Sequence, residues 1–205
     1  MSRLILLSCL IIVKSYIQEG IIMNTKNQFT PLRITMAAVF MAMTIALSSF
    51  GVPVPGGHLY LCDIVICTAA LLLDPFDALI VGGVGSFLGD LLFYPQAMLV
   101  SLVVHGLQAF AISFIVHRGS KKHPKINTFT GLLIGSIIMV VGYTLGKTYV
   151  YSTFEYAMIK LPYEIAQAAV GAIFAPVLCY RCGLQNAYTN YTAKNRASAS
   201  GTHAG

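Results

Sequence analysis

Five ionisable residues stand inside or at the ends of long apolar runs: Asp63, Asp90, His105, Lys147 and Glu164. A charge at mid-bilayer depth costs roughly 2.5–3.5 kcal/mol on insertion scales unless it is paired or wetted. Such groups bind a solute, move a proton or pair with one another. Spacing narrows the choice. His105 with Gln108 and Glu164 with Gln167 stand three residues apart, and Tyr143, Lys147 and Tyr151 follow at steps of four, so each set shares one helix face. His58, Tyr60 and Tyr94 add rings near the ends of the same runs. Aromatic faces with a few placed donors and acceptors suit a small organic ligand. Mutual pairing, or snorkelling to the interface, is the structural alternative for each residue. Hydrolytic chemistry has less support, because HExxH, GxSxG and a Walker phosphate loop are all missing. Asp63 and Asp90 could form an intramembrane aspartyl pair, but their surroundings, CDIV and GDLL, add nothing to that reading. No filter-like loop or ring of like charges suggests an ion channel.

The elements that must carry these residues are membrane helices. Of 205 residues, 57% are hydrophobic and only 10% charged, against about 25% charged in soluble domains. Mean hydropathy is +0.75. These values exclude a disordered chain and leave an all-α integral membrane protein as the expected fold class. Six apolar segments follow residue 30: about 33–52, 59–73, 78–93, 95–116, 128–151 and 161–182. Proline and Asp-Pro-Phe-Asp turns separate them, and Pro162 is expected in the first turn of the sixth, where its missing N–H is harmless. The domain plan is an N-terminal extension over 1–30, a six-helix membrane domain over 31–182 and a disordered tail over 183–205. Leu4 to Val13 is too short to span and no small-x-small cleavage site follows it, so Met23 is read as the functional start. Cys9, Cys62, Cys67, Cys179 and Cys182 form no metal-ligand pattern and read as buried small hydrophobes. No cofactor or metal is expected.

Positive charge sets the orientation. With six spans, Lys26, Arg33, Arg118, Lys121, Lys122, Lys125, Arg181, Lys194 and Arg196 fall on one side, while the opposite loops hold only Lys160. Cytoplasmic loops are enriched in Lys and Arg, so both termini are expected in the cytoplasm of a cell-membrane protein. The formal charge of +6 is therefore a topology signal rather than a nucleic-acid footprint. In this orientation the polar groups of the second to sixth segments converge in the outer half, as a pocket open outward and closed inward. Ala38, Ala42 and Ala46 form a methyl-sized stripe on the first segment, which suits close approach of another helix, internal or from a partner. The pairs Gly85/Gly89, Gly131/Gly135 and Gly142/Gly146 are expected to pack within the chain.

The stretch GGHLYLCDIVICTAALLLDPFDALIVGGVGSFLGDLL resembles the Gly-x-x-Leu-Gly-Asp … Ala-Ala-Leu-Leu-Leu-Gly-Pro … Gly-Gly-x-Gly-Ser-x-x-x-Asp-Leu-Leu pattern of substrate-binding S components of energy-coupling factor (ECF) vitamin transporters. YPQAMLVSLVVHGLQAFAI and LPYEIAQAAVGAIFAPVL resemble the same branch, and the likeness spans about residues 31–182. It implies a six-helix bundle that captures a vitamin or precursor from outside and topples against a T component, with two ATPase subunits supplying the energy. The chain itself would have no enzymatic activity. The resemblance implies that Ala38, Ala42 and Ala46 meet the T component and that the loop carrying Gly56 and Gly57 is the outer gate. Asp63, Asp90 and Gln167 match the pattern. Cys62, His105 and Glu164 depart from the glycine, lysine and asparagine common there, which bears on the ligand. The branch is most similar to S components for pyridoxine or hydroxymethylpyrimidine-like rings. The expected ligand contacts are His58, Tyr60, Asp63, Asp90, Tyr94, His105, Gln108, Tyr143, Lys147, Glu164 and Gln167. Pantothenate, which would use Lys147 and His105, is an alternative, as is a stand-alone proton-coupled transporter.

Overall fold

A computed structural model of the chain describes residues 31–55, 57–119, 122–190 and 193. Two compact units divide it, Met1–Ile34 and Thr35–Gly205, and of the first only the opening of one helix is described. The expectations placed on residues 1–30, Met23 and Gly56 lie outside the described residues.

Among the described residues, six helices of more than two turns carry the fold. They are α1 (Pro31–Ser48), α2 (Cys62–Leu72), α3 (Pro75–Phe93), α4 (Met98–Arg118), α5 (Pro124–Gly146) and α6 (Phe154–Pro176). Proline starts several of them: Pro75 opens α3, Pro95 opens the single 3₁₀ turn leading into α4, and Pro124 opens α5. At that position its fixed φ favours the helix and its missing N–H is not needed. Wider π turns, Lys147–Tyr151 and Val177–Arg181, finish α5 and α6.

The expectation of six spanning helices is met only in part. Among the described residues, four helical stretches are long and apolar enough to cross a membrane: Pro75–Phe93, Pro95–Arg118, Pro124–Tyr151 and Phe154–Arg181. Helices Arg33–Ser48 and Cys62–Leu72 are apolar but shorter. Helix α2 has 11 residues; at about 1.5 Å each this is roughly half the hydrocarbon thickness. All of its residues except Ile64 are buried, so its apolar run is protein core rather than lipid-facing surface.

Three features add to or differ from the sequence reading. First, the described residues are mostly helical, in keeping with the all-α class, with one added ribbon: Gly51–Val54 (β1) and Gly57–Tyr60 (β2) pair antiparallel, with Val54 opposite Gly57 and Gly51 opposite Tyr60. Two prolines in VPVP prevent helix, and a two-stranded ribbon is all edge, where a proline is tolerated. Gly57 has φ of +131°, which favours glycine. Second, α6 starts at Phe154, about two turns before Pro162, so that proline is interior to the helix. Thr153 is the cap, its Oγ1 accepting from the Tyr156 N–H at 3.4 Å. Third, residues 184–190 are helical, where disorder was expected from 183 onward.

Helices adjacent in sequence alternate in direction, as side-chain contacts record. The end of α3 meets the start of α4 through Asp90 and Ser101. The start of α4 meets the end of α5 through Ser101 and Tyr143. At the other end Ser113 Oγ donates to the Leu73 carbonyl at 2.6 Å, and Thr128 meets Tyr180 at 2.8 Å. The core lies in that second half, where Ile66, Leu73, Ala78, Val81, Ala109 and Ile112 are fully buried. The glycine pairs do pack within the chain: a Cβ on Gly142 would sit 2.7 Å from Val104, one on Gly131 3.2 Å from the Ile112 carbonyl, and one on Gly89 2.6 Å from Ser48.

Candidate ligand-binding site

The polar residues of five helices gather beneath the β1–β2 hairpin. Asp63, in the first turn of α2, is 1% exposed. Its Oδ1 accepts from Gln108 Nε2 at 3.1 Å and its Oδ2 from Gln167 Nε2 at 2.5 Å, with His105 Nδ1 at 3.7 Å. Gly171 permits this approach of α6 to α2, since a Cβ there would lie 2.9 Å from the Asp63 side chain. Gln167 turns its other end outward, and Oε1 accepts the Tyr60 backbone N–H at 3.0 Å. One amide thus ties the hairpin to the buried aspartate.

A second group is the ion pair of Lys147 and Glu164, both almost fully buried. Lys147 also lies 5.1 Å from the Tyr143 ring centroid, within cation–π range. In the third group Ser101 donates to Asp90 and sits 2.5 Å from Tyr143 Oη. The rings of His105 and Tyr143 meet edge-on at 5.2 Å, and those of Tyr94 and Tyr151 at 6.4 Å. Burial pushes the Tyr60 phenol up to about 12 and raises that of Tyr94, so both remain hydrogen-bond donors at neutral pH.

These groups surround a small pocket that opens to the surface. Seven of the expected contacts line it: Tyr60, Asp90, Tyr94, His105, Tyr143, Glu164 and Gln167. Asp63, Gln108 and Lys147 stand behind that lining and hold it by the bonds just described. His58 is exposed on the hairpin, 6.1 Å from the Tyr60 ring, and does not line the pocket. Sequence reading missed Ser48, Ser86, Tyr151 and Lys160 as lining residues. The step of four from Tyr143 to Tyr151 was the available signal for one of them. Lys160, expected in an outer loop, lies in α6 with its ammonium 6.0 Å from the Tyr60 ring centroid.

One group among the described residues has metal-ligand chemistry: Cys62, Asp63 and His105 bring one ligand atom each within 4.8 Å of one another. Both Asp63 oxygens already accept from amides and His105 Nδ1 lies 2.7 Å from Gln108 Oε1, so hydrogen bonding organises this corner. On α1, Ala38, Ala42 and Ala46 are exposed while Phe40, Thr44 and Ser48 face the interior.

Apolar helices outside and bonded polar side chains inside define a multi-pass membrane protein with an internal polar site. The chain belongs to the S-component family of ECF-type riboflavin transporters, whose family model matches residues 27–183. This is a family of transport subunits rather than enzymes. The chain is 30% identical over 164 residues to the thiamine precursor transporter HmpT of Lactococcus lactis subsp. cremoris, an alignment covering 76% of this chain and 92% of that protein. It is also 31% identical over 141 residues to an uncharacterised protein of Pyrococcus woesei, covering 68% and 93% of the two chains.

Proposed function

We propose that this chain is the substrate-capturing subunit of an ECF-type importer, taking a vitamin or precursor from outside the cell and favouring a hydroxymethylpyrimidine- or pyridoxine-like ring. The observation that carries this reading is the pocket beneath the hairpin, where polar side chains from separate helices meet aromatic rings. The name of the Lactococcus relative supports the ring class. Tyr60, Tyr94, Tyr143 and Tyr151 supply faces on which a flat ring packs, and His105, Glu164 and Gln167 supply its hydrogen bonds. Asp63, Gln108 and Lys147 position these groups. The hairpin is the outer gate, with Gln167 as its latch and Gly57 as its turn residue. Both termini face the cytoplasm.

The exposed alanine stripe on α1 is the surface offered to the T component, and two ATPase subunits supply the energy. Toppling of the loaded subunit against the T component would bring the pocket to the cytoplasmic side. The expected outcome for Ala42→Trp is complete loss of co-purification with the T component and of uptake, while ligand affinity stays within about twofold. Equal loss of both properties returns the stripe to a role in internal packing.

Binding is expected to be saturable and independent of ATP in the isolated chain, with uptake only when the T component and ATPases are present. A stand-alone proton-coupled transporter would instead give counterflow in liposomes containing this chain alone. Binding assays and counterflow on one purified preparation separate these readings.

A further inference from the structure

Among the described residues, two buried polar atoms in the pocket lack a hydrogen-bond partner: Glu164 Oε2 and Ser86 Oγ. Glu164 is 1% exposed and Ser86 3%, and both line the pocket, one from α6 and the other from α3. The neighbouring polar groups are engaged. Asp90 accepts from Ser101, which also meets Tyr143, while Gln167 bonds Asp63 and the Tyr60 backbone, and His105 bonds Gln108. Buried polar groups are almost always paired, and an exception calls for a missing partner. Among the fully buried polar atoms of the wall, a solute that disturbs nothing already bonded would meet this acceptor and this hydroxyl.

The free acceptor is a carboxylate oxygen, and a carboxylate accepts without donating. Its other oxygen is held by Lys147, which does not line the pocket. The lysine therefore neutralises Glu164 from behind and leaves the ligand facing an oxygen that repels another carboxylate. The cation that does line the pocket, Lys160, stands at the hairpin end beside the Tyr60 ring.

We infer that Glu164 Oε2 and Ser86 Oγ are the two polar anchors of the ligand, and that they select an uncharged nitrogen heterocycle. One ring-borne N–H or O–H donates to Glu164, and a second polar group, such as a hydroxymethyl oxygen, bonds Ser86. The inference rests on the binding function proposed above and adds Ser86, the backing role of Lys147 and the exclusion of carboxylate ligands.

The test is calorimetric titration of the purified full-length chain with hydroxymethylpyrimidine, pyridoxine and pantothenate. Wild type, Ser86→Ala, Glu164→Gln and the distant control Ser113→Ala are compared. One neutral ring is expected to bind at least about a hundredfold more tightly than pantothenate. Ser86→Ala is expected to weaken it about tenfold and Glu164→Gln at least as much, with Ser113→Ala unchanged. If pyridoxine is the ligand, Ser86→Ala should cost little against its deoxy analogue lacking the hydroxymethyl oxygen. That non-additivity separates a ligand contact from a merely structural role. Unchanged affinity in folded Ser86→Ala protein, or a preference for pantothenate, overturns the anchor assignment and leaves the binding function standing. Failure of the wild type to bind any of the three overturns both.

Discussion

The two ends of this bundle are built from the same helices but hold together in different ways. At the hairpin end, Asp63, Asp90, Lys147, Glu164 and Gln167 face one another across four helices, and directional bonds fix their geometry. At the far end the interior is Ile66, Leu73, Ala78, Val81 and Ile112, with hydroxyls such as Ser113 spent on backbone carbonyls. Apolar packing alone would have closed both ends, and in the bilayer each buried charge carries an insertion cost. Among the described residues the fully buried charges gather at one end around a pocket, as the proposed capture of a solute from that side requires. The contrast also divides the polar residues by duty. Under the proposed function, those behind the pocket wall maintain the fold, and those in the wall are the ones offered to a ligand.

Substitutions that mix these duties test the contrast, and the largest effect is expected at the wall. Glu164→Ala should weaken ligand binding about a hundredfold, from loss of a buried acceptor together with the Lys147 charge left unpaired, measured by titration of the purified chain. Asp63→Ala acts one layer back. Two buried amides, on Gln108 and Gln167, lose their acceptor, at about 1–3 kcal/mol for an unsatisfied group. The expected result is a clear drop in thermal stability with a smaller loss of affinity than Glu164→Ala gives. The reverse ranking would place Asp63 in the wall. Smallest is Ser113→Ala at the far end, which should cost about 1 kcal/mol of stability and leave affinity untouched. A binding defect there would mean that the two ends are coupled.

Much of this division was legible in the sequence, and the limits have physical causes. Helical spacing identifies which residues share a face, so the convergence of His105, Tyr143, Glu164 and Gln167 could be anticipated from their steps of three and four. Spacing along one helix does not say which side chain across the bundle bonds which. The backing positions of Asp63, Gln108 and Lys147 therefore emerge only from the packing. Ser86 and Ser101 give little hydropathy signal, and serine inside an apolar helix usually bonds its own backbone. The hairpin is not legible as strands, because two strands of four residues each are too short for alternation to stand out from VPVPGGHLY. Pro162 drew the start of α6 inward, since proline favours a first turn. The cap at Thr153 and the preceding π turn on α5 set the true boundary. On α1 the four-residue step located the alanine stripe, and only the burial of Phe40, Thr44 and Ser48 decides which way it faces.

The most direct test of the central claim, that the polar end encloses a small solute, is mass spectrometry of molecules released by denaturing freshly purified protein. The account predicts one small heterocyclic compound, near stoichiometric with the chain and absent from Glu164→Ala protein prepared in parallel. Folded wild-type protein that releases no small molecule and takes none up from a panel of vitamins and precursors would contradict it.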